Sequence, residues 1–221
     1  MITIKKFTFN PFQENTYLLF DETKECVVID PGCYGPKEKA HLVNFIKENS
    51  LKPVKLLNTH CHIDHIQGNY IISKEFNLKL ETNKLEIPVL KQSPTWGLQY
   101  GIKGDLSPEI EVFLDEGDQV KFGNSILDVI FVPGHSPGHI AFISHEDKFI
   151  INGDVLFKGS FGRYDLPGGN IYTLSKSIQE KLFSLPDEYL VYAGHMGETT
   201  IGEEKSSNPI LQYPIEAPTN S

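Results

Sequence analysis

The chain has 221 residues, 39% of them hydrophobic and 22% charged, with a formal net charge of −9. That balance belongs to an ordinary globular protein long enough to bury a core, and it excludes fibrous, disordered and membrane-spanning classes. An acidic chain lacks the basic stripe that nucleic-acid binding needs, but a small anionic substrate stays open, because a metal pair inverts the local field.

The first residues alternate like a strand and carry no apolar signal-peptide core. Cys26, Cys33 and Cys61 are few and odd in number, so no disulfide framework is implied and a cytoplasmic location is expected. Strand patterns cover residues 2–9, 15–20 and 26–30, the last closed by Asp30-Pro31-Gly32. Residues 36–49 read as a helix, with Leu42, Phe45 and Ile46 on its core face. A short strand at 54–57 leads into Thr59-His60-Cys61-His62-Ile63-Asp64-His65, and a second helix is expected over 64–75, opened by Asp64.

Residues 93–108 contain Pro94, Gly97, Gly101, Gly104 and Pro108. This is loop composition, read either as a lid or as an ordinary surface loop. Strands follow at 125–132, 140–144 and 148–152. A helix over 170–183 buries Ile171, Leu174, Ile178 and Leu182, and a last strand spans 189–193. No linker composition interrupts the chain, so one layered α/β domain over residues 1–221 is expected.

The His60-x-His62-x-Asp64-His65 run is the richest chemical element. On an extended segment residues i and i+2 face the same side, so His60 and His62 can share one metal ion. Asp64 and His65, presented where the chain turns, can hold a second ion. Cys61 points the other way and reads as a small buried residue. Gly134-His135, Gly153-Asp154 and Gly194-His195 each put a ligand beside a glycine at a strand end. The set closes with His60, His62 and His135 on one ion, Asp64, His65 and His195 on the other, and Asp154 spanning both. His41, His139 and His145 are read as surface or hydrogen-bonded core histidines.

These residues resemble the metallo-β-lactamase superfamily. The T-H-x-H-x-D-H motif stands at Thr59 to His65, followed by P-G-H-S-P-G-H from Pro133 to His139, then Gly153-Asp154 and Gly194-His195. The resemblance implies a four-layer αββα sandwich with the metals at one edge between the sheets. Gly153-Asp154-Val155-Leu156-Phe157, Ser160-Phe161-Gly162-Arg163-Tyr164-Asp165 and Leu166-Pro167-Gly168-Gly169 are similar to compact glyoxalase II-like hydrolases. That likeness implies hydrolysis of an acyl thioester such as S-D-lactoylglutathione, a small-molecule partner, with no nucleic acid and no membrane.

Two-domain glyoxalase II has a helical C-terminal domain that supplies basic residues to glutathione. Here a short tail follows His195, with Lys205 its one basic residue, so thioester hydrolysis is implied more firmly than glutathione recognition. Lys158 and Arg163 are candidates for holding an anionic substrate, with a salt bridge to Asp165 as the competing role for Arg163. Two divalent ions, zinc first and iron or manganese as alternatives, are expected to generate a bridging hydroxide beside Asp154, with Asp64 a candidate to steer it besides its main role as a ligand. The rivals are a lactonase and a mononuclear-iron persulfide dioxygenase, which shares T-H-C-H-x-D-H and G-R-x-D. A zinc β-lactamase usually has cysteine where Asp154 stands, and a flavodiiron protein has glutamate where His62 stands.

Overall fold

A computed structural model describes residues 1–103 and 105–216. The first strands, β1 (Thr3–Phe9), β2 (Glu14–Phe20) and β3 (Glu25–Ile29), pair antiparallel in succession. Helix α1 (Gly35–Glu48) then crosses to β4 (Lys52–Leu57), α2 (Asn69–Phe76) to β5 (Leu80–Thr82), and α3 (Ile87–Gln99) leads on to β6 (Ile110–Phe113). Each of these strands lies parallel to the one before, giving a six-stranded sheet in the order β1-β2-β3-β4-β5-β6.

The second sheet begins with an antiparallel meander, β7 (Gln119–Phe122), β8 (Ser125–Phe131), β9 (Ile140–Ser144) and β10 (Phe149–Gly153). A small hairpin, β11 (Leu156–Phe157) with β12 (Ser160–Phe161), and helix α4 (Ile171–Lys176) follow. Then come β13 (Leu190–Ala193), parallel to β10, β14 (Thr199–Thr200), and α5 (Ile201–Ser207). The sheet order is β14-β13-β10-β9-β8-β7.

Period-two alternation assigns each side chain to a layer. Leu19, Val27, Ile29 and Leu57 of the first sheet meet Val129, Ile140, Phe142 and Ile151 of the second in one inter-sheet core. Their neighbours Leu18, Val28 and Leu56 face outward onto Leu42 and Ile46 of α1 and Ile72 of α2. On the far side Ala141, Ile143, Ile150 and Val191 pack against Leu174, Ile178 and Leu182, with Ile201 of α5. The central strands are therefore buried on both faces, and the layers run helix, sheet, sheet, helix, as the αββα expectation requires. None of the described helices is long and apolar enough to cross a membrane.

Three expectations are corrected. No helix starts at Asp64: one 3-10 turn, Ile63–His65, intervenes before α2 begins at Asn69, and the Asp64 carboxylate turns toward His195 instead of capping a helix. The segment 93–108 is not wholly loop, because residues 93–99 are the last two turns of α3, with Pro94 inside the helix and Gly97 buried against Ile63. Beyond α3 the described residues to Pro108 are irregular, and Gly104 lies outside the described residues. The helix expected over 170–183 is regular only to Lys176, then widens into a π turn at Ser177–Lys181 and tightens to a 3-10 turn at Leu182–Ser184.

Helix α4 is fixed by Asn170, whose side chain accepts from the Thr173 amide at 3.0 Å and whose own amide donates to Gly134 O at 2.8 Å. Gly134 has φ +129, and a Cβ there would lie 2.2 Å from the Leu174 nitrogen. Gly134→Ala is therefore expected to lower unfolding stability by about 1–3 kcal/mol, from both strain and the clash. Urea titration measures this; a change within about 0.5 kcal/mol, ordinary for a neutral surface change, would contradict the packing.

Candidate metal centre

Strand ends deliver the polar residues to one edge of the sandwich: Asp30 after β3, residues 58–62 after β4, His135 after β8, Asp154 after β10 and His195 after β13. The carboxyl ends of strands are where open α/β sheets present their sites. His62 is extended (φ −66, ψ 154), so His60 and His62 share a side as their spacing predicts. Cys61, between them, is fully buried in a small apolar cluster with Ile66 and Val89.

Two groups of potential ligand atoms result, each within 4.8 Å: His60, His62 and His135, and Asp64, His65 and His195. In the first, His62 Nδ1 faces His135 Nε2 at 2.8 Å. In the second, His195 Nε2 lies 3.2 Å from Asp64 Oδ2, and His65 Nε2 lies 3.7 Å from the same oxygen. Asp154 stands between the groups, with Oδ1 3.4 Å from His65 Nε2 and Oδ2 3.4 Å from His195 Nε2 and 3.6 Å from His135 Nε2. At Gly194 a Cβ would sit 2.2 Å from Asp154 Oδ1, so the glycine admits the carboxylate. The seven candidate metal ligands read from the sequence thus lie together.

A second layer of contacts fixes which ring nitrogen faces inward. His135 Nδ1 donates to Arg163 O at 2.7 Å and His195 Nδ1 to Phe12 O at 3.1 Å, which turns each Nε2 into the site. The Thr59 hydroxyl donates to Asp30 Oδ2 at 2.6 Å and so accepts from His60 Nδ1 at 3.0 Å. Asp30 Oδ2 also faces His65 Nδ1 at 3.2 Å, while its Oδ1 takes the Thr59 amide and Asn58 Nδ2. Asp30 falls in a third group with His60 and His65, but its oxygens are already engaged, so it orients the two rings.

These partners went unread in the sequence. Asp30 looked like turn chemistry, yet its carboxylate reaches back to Thr59 and His65, and its backbone holds φ +48. Glu14 is fully buried, with Oε1 3.9 Å from His65 Nδ1, and burial pushes its carboxyl well above the usual range. His139 is a hydrogen-bonded core residue, as expected. Its Nε2 accepts from the Asp154 amide at 3.1 Å, and its ring stacks on His60. His145 meets the Tyr189 hydroxyl and His41 lies edge-on to Phe7 and Phe9, both away from the site.

Burial and the facing His135 push His62 down to about 3, and burial likewise lowers His60 and His135, so the first group presents neutral lone pairs. Burial opposes a charge on His195, but Asp154 and Asp64 override it and lift the ring to about 10. Against the same desolvation, His195 and His65 hold Asp154 well below the carboxylate range. Among the described residues, the buried side-chain atoms with no hydrogen-bond partner include His60 Nε2, His65 Nε2 and Asp154 Oδ1. Each such group costs about 1–3 kcal/mol when left unsatisfied. Three of them together are of the order of a typical folding stability, ~5–15 kcal/mol, and divalent cations would satisfy all three. The donor set fits two such ions.

The cluster opens onto a cleft of about 780 Å³ walled by Phe12, Trp96, Tyr100, Phe157, Phe161 and Met196. Phe12 and Tyr100 meet edge to face, with centroids 5.6 Å apart. Arg163 lines the cleft, but its Nε and Nη2 each bind an Asp165 oxygen at 2.8 Å, so the competing salt bridge is formed. Lys158 is exposed and lies outside the lining, because the turn between β11 and β12 carries it away.

Residues 9–195 match the family model described as the metallo-beta-lactamase superfamily. The chain is 38% identical to hydroxyacylglutathione hydrolase GloC of Haemophilus influenzae, over 90% of this chain and 93% of that protein. It is 33% identical to the mitochondrial persulfide dioxygenase ETHE1 of Mus musculus, over 91% of this chain and 72% of that protein. Among solved structures, BLEG-1 B3 metallo-beta-lactamase superposes with TM-score 0.87 at 31% identity, covering 95% of this chain and 99% of that one. TTHA1623 in a di-iron-bound form superposes with TM-score 0.84 at 35% identity, covering 93% and 98%. Fold, motif positions and relatives agree, and the chain belongs to the metallo-beta-lactamase superfamily.

Proposed function

We propose that this chain is a dinuclear metal-dependent hydrolase acting on an acyl thioester of the S-D-lactoylglutathione class. The observation that carries the reading is Asp154, placed within 3.6 Å of nitrogens from both ligand groups. In it, His60, His62 and His135 hold one ion, Asp64, His65 and His195 the other, and Asp154 joins them. Two adjacent divalent ions supply an acidified water and polarisation of a carbonyl oxygen. In this reading Asp64, which lines the cleft with Oδ2 3.2 Å from His195 Nε2, would orient that water's proton besides holding the second ion.

The aromatic walls exclude bulk water around a reacting carbonyl, which strengthens every charge interaction inside. Phe12 and Tyr100 meet in the cleft wall, and Arg163 would meet a substrate carboxylate by sharing its bond to Asp165. The likeness to a hydroxyacylglutathione hydrolase supports the thioester class. The di-iron relative keeps iron beside zinc as the resident metal. A persulfide dioxygenase is the second reading, favoured by the ETHE1 relative and by the shared Gly162-Arg163-Tyr164-Asp165 element.

Metal-loaded protein is expected to hydrolyse S-D-lactoylglutathione, followed at the thioester absorbance, and a chelated sample to lose that turnover. Oxygen consumption with glutathione persulfide by protein holding a single iron, with no thioester turnover, would replace this reading with the dioxygenase. His62→Ala and Asp154→Ala are each expected to lower kcat/KM by more than ~100-fold, beyond the ~10–100-fold span of losing an outer partner, with metal content reduced in parallel. His41→Ala, on the outer face against Phe7, is expected to leave both unchanged. Near-normal turnover in the Asp154 variant would contradict the dinuclear reading.

A further inference from the structure

The first ligand group is assembled from two loops that are far apart in sequence, and one buried carboxylate ties them together. Glu86 lies in the 3-10 turn Lys84–Glu86 between β5 and α3 and is 0% exposed. Its Oε2 accepts from the Cys61 amide at 2.8 Å, the peptide between His60 and His62. Its Oε1 accepts from the Ser136 hydroxyl at 2.6 Å and the Gly138 amide at 2.7 Å, on the loop that carries His135. A Cβ at Gly138 would lie 2.8 Å from the Glu86 nitrogen, so the second glycine of Pro133-Gly134-His135-Ser136-Pro137-Gly138-His139 is the opening that admits Glu86. The next peptide unit, between Cys61 and His62, is held from α3, where the Ser93 hydroxyl donates to Cys61 O at 2.5 Å.

We infer that Glu86 is the positioning residue of the first metal site: through Cys61, Ser136 and Gly138 it sets the distance between the His60–His62 pair and His135. The inference rests on the ligand assignment proposed above. It also gives the segment that begins α3 a scaffold role. A carboxylate suits the position because three donors, two of them backbone amides, converge on it, and charge-assisted bonds of this kind are the strong ones. Glutamine keeps the shape but turns an amide group toward at least one N–H, leaving donor against donor. Alanine leaves two buried amides and a hydroxyl unpaired.

The test is Zn2+ titration of the chelated full chain against a competing chelator, on Glu86→Gln and Ser136→Ala, with melting followed in parallel. Wild type is expected to bind two equivalents. Both variants are expected to bind one of the two about 10–100-fold more weakly, the span of outer-shell partners, and to keep the other unchanged. Asp21→Asn is the control, because Asp21 is another carboxylate of low exposure, at the opposite end of β2 and bound by Thr23, Asn124 and Ser125. It is expected to lower the melting temperature with both zinc affinities unchanged. Wild-type affinity at both sites in folded Ser136→Ala, or equal weakening of both sites, would overturn the inference; if Glu86→Gln does not fold, Ser136→Ala decides. Metal binding is read without substrate, so a chain that hydrolyses no thioester still tests it.

Discussion

Seven ionisable side chains held together at one edge of two hydrophobic sheets are the constraint that governs the rest of the molecule. Imidazoles and carboxylates with little access to water are stable only when each nitrogen and oxygen has a partner. The inter-sheet core of Leu19, Ile29, Leu57, Val129 and Ile151 supplies the rigidity that brings them together, and it has no hydrogen bond to offer them. Their partners come instead from a shell of local polar groups. Asp30, Thr59, Phe12 O and Arg163 O fix the rings, and the inward atoms are left for cations.

Several residues with unusual backbone conformation lie at the same edge. Asn10, Gln13, Asp30 and Met196 all hold positive φ without being glycine. Asn10 binds Gly32 O and Asp64 O through its side chain, and Asn15 reaches Ala193 O and Met196 O. The β1–β2 turn is thereby fastened to the loops that carry Asp64 and His195. Elements belonging to different sheets are thus locked to each other at the site, which keeps ligand positions within the tolerance that catalysis demands.

Much of this was legible along the chain. His60, His62, Asp64 and His65 are near neighbours, and a period-two argument orients them without tertiary information. The strands at 140–144 and the helix at 36–49 carry enough regular apolar pattern to be found. What escaped detection depends on distant contacts. Asp30 acts on residues about thirty positions away, and Glu86 on residues twenty-five to fifty-two away. Strands β5 and β6 have only three and four residues and exist because parallel neighbours pair with them. Helix α3 was masked by Pro94 and Gly97, which imitate loop composition although Gly97 is buried against Ile63, where a Cβ would lie 3.0 Å from Ile63 Cγ1. The length of Lys158 in sequence from Asp154 is short, but a hairpin turn takes it off the cleft.

The most direct measurement is anomalous diffraction from crystals of the metal-loaded chain. Two ions are expected about 3.5–4 Å apart, the usual spacing of paired catalytic metals. One should lie among His60, His62 and His135, the other among Asp64, His65 and His195, with an Asp154 oxygen on each or one oxygen shared. A single ion at full loading, or an ion bound by Asp30 in place of Asp154, would contradict the dinuclear centre.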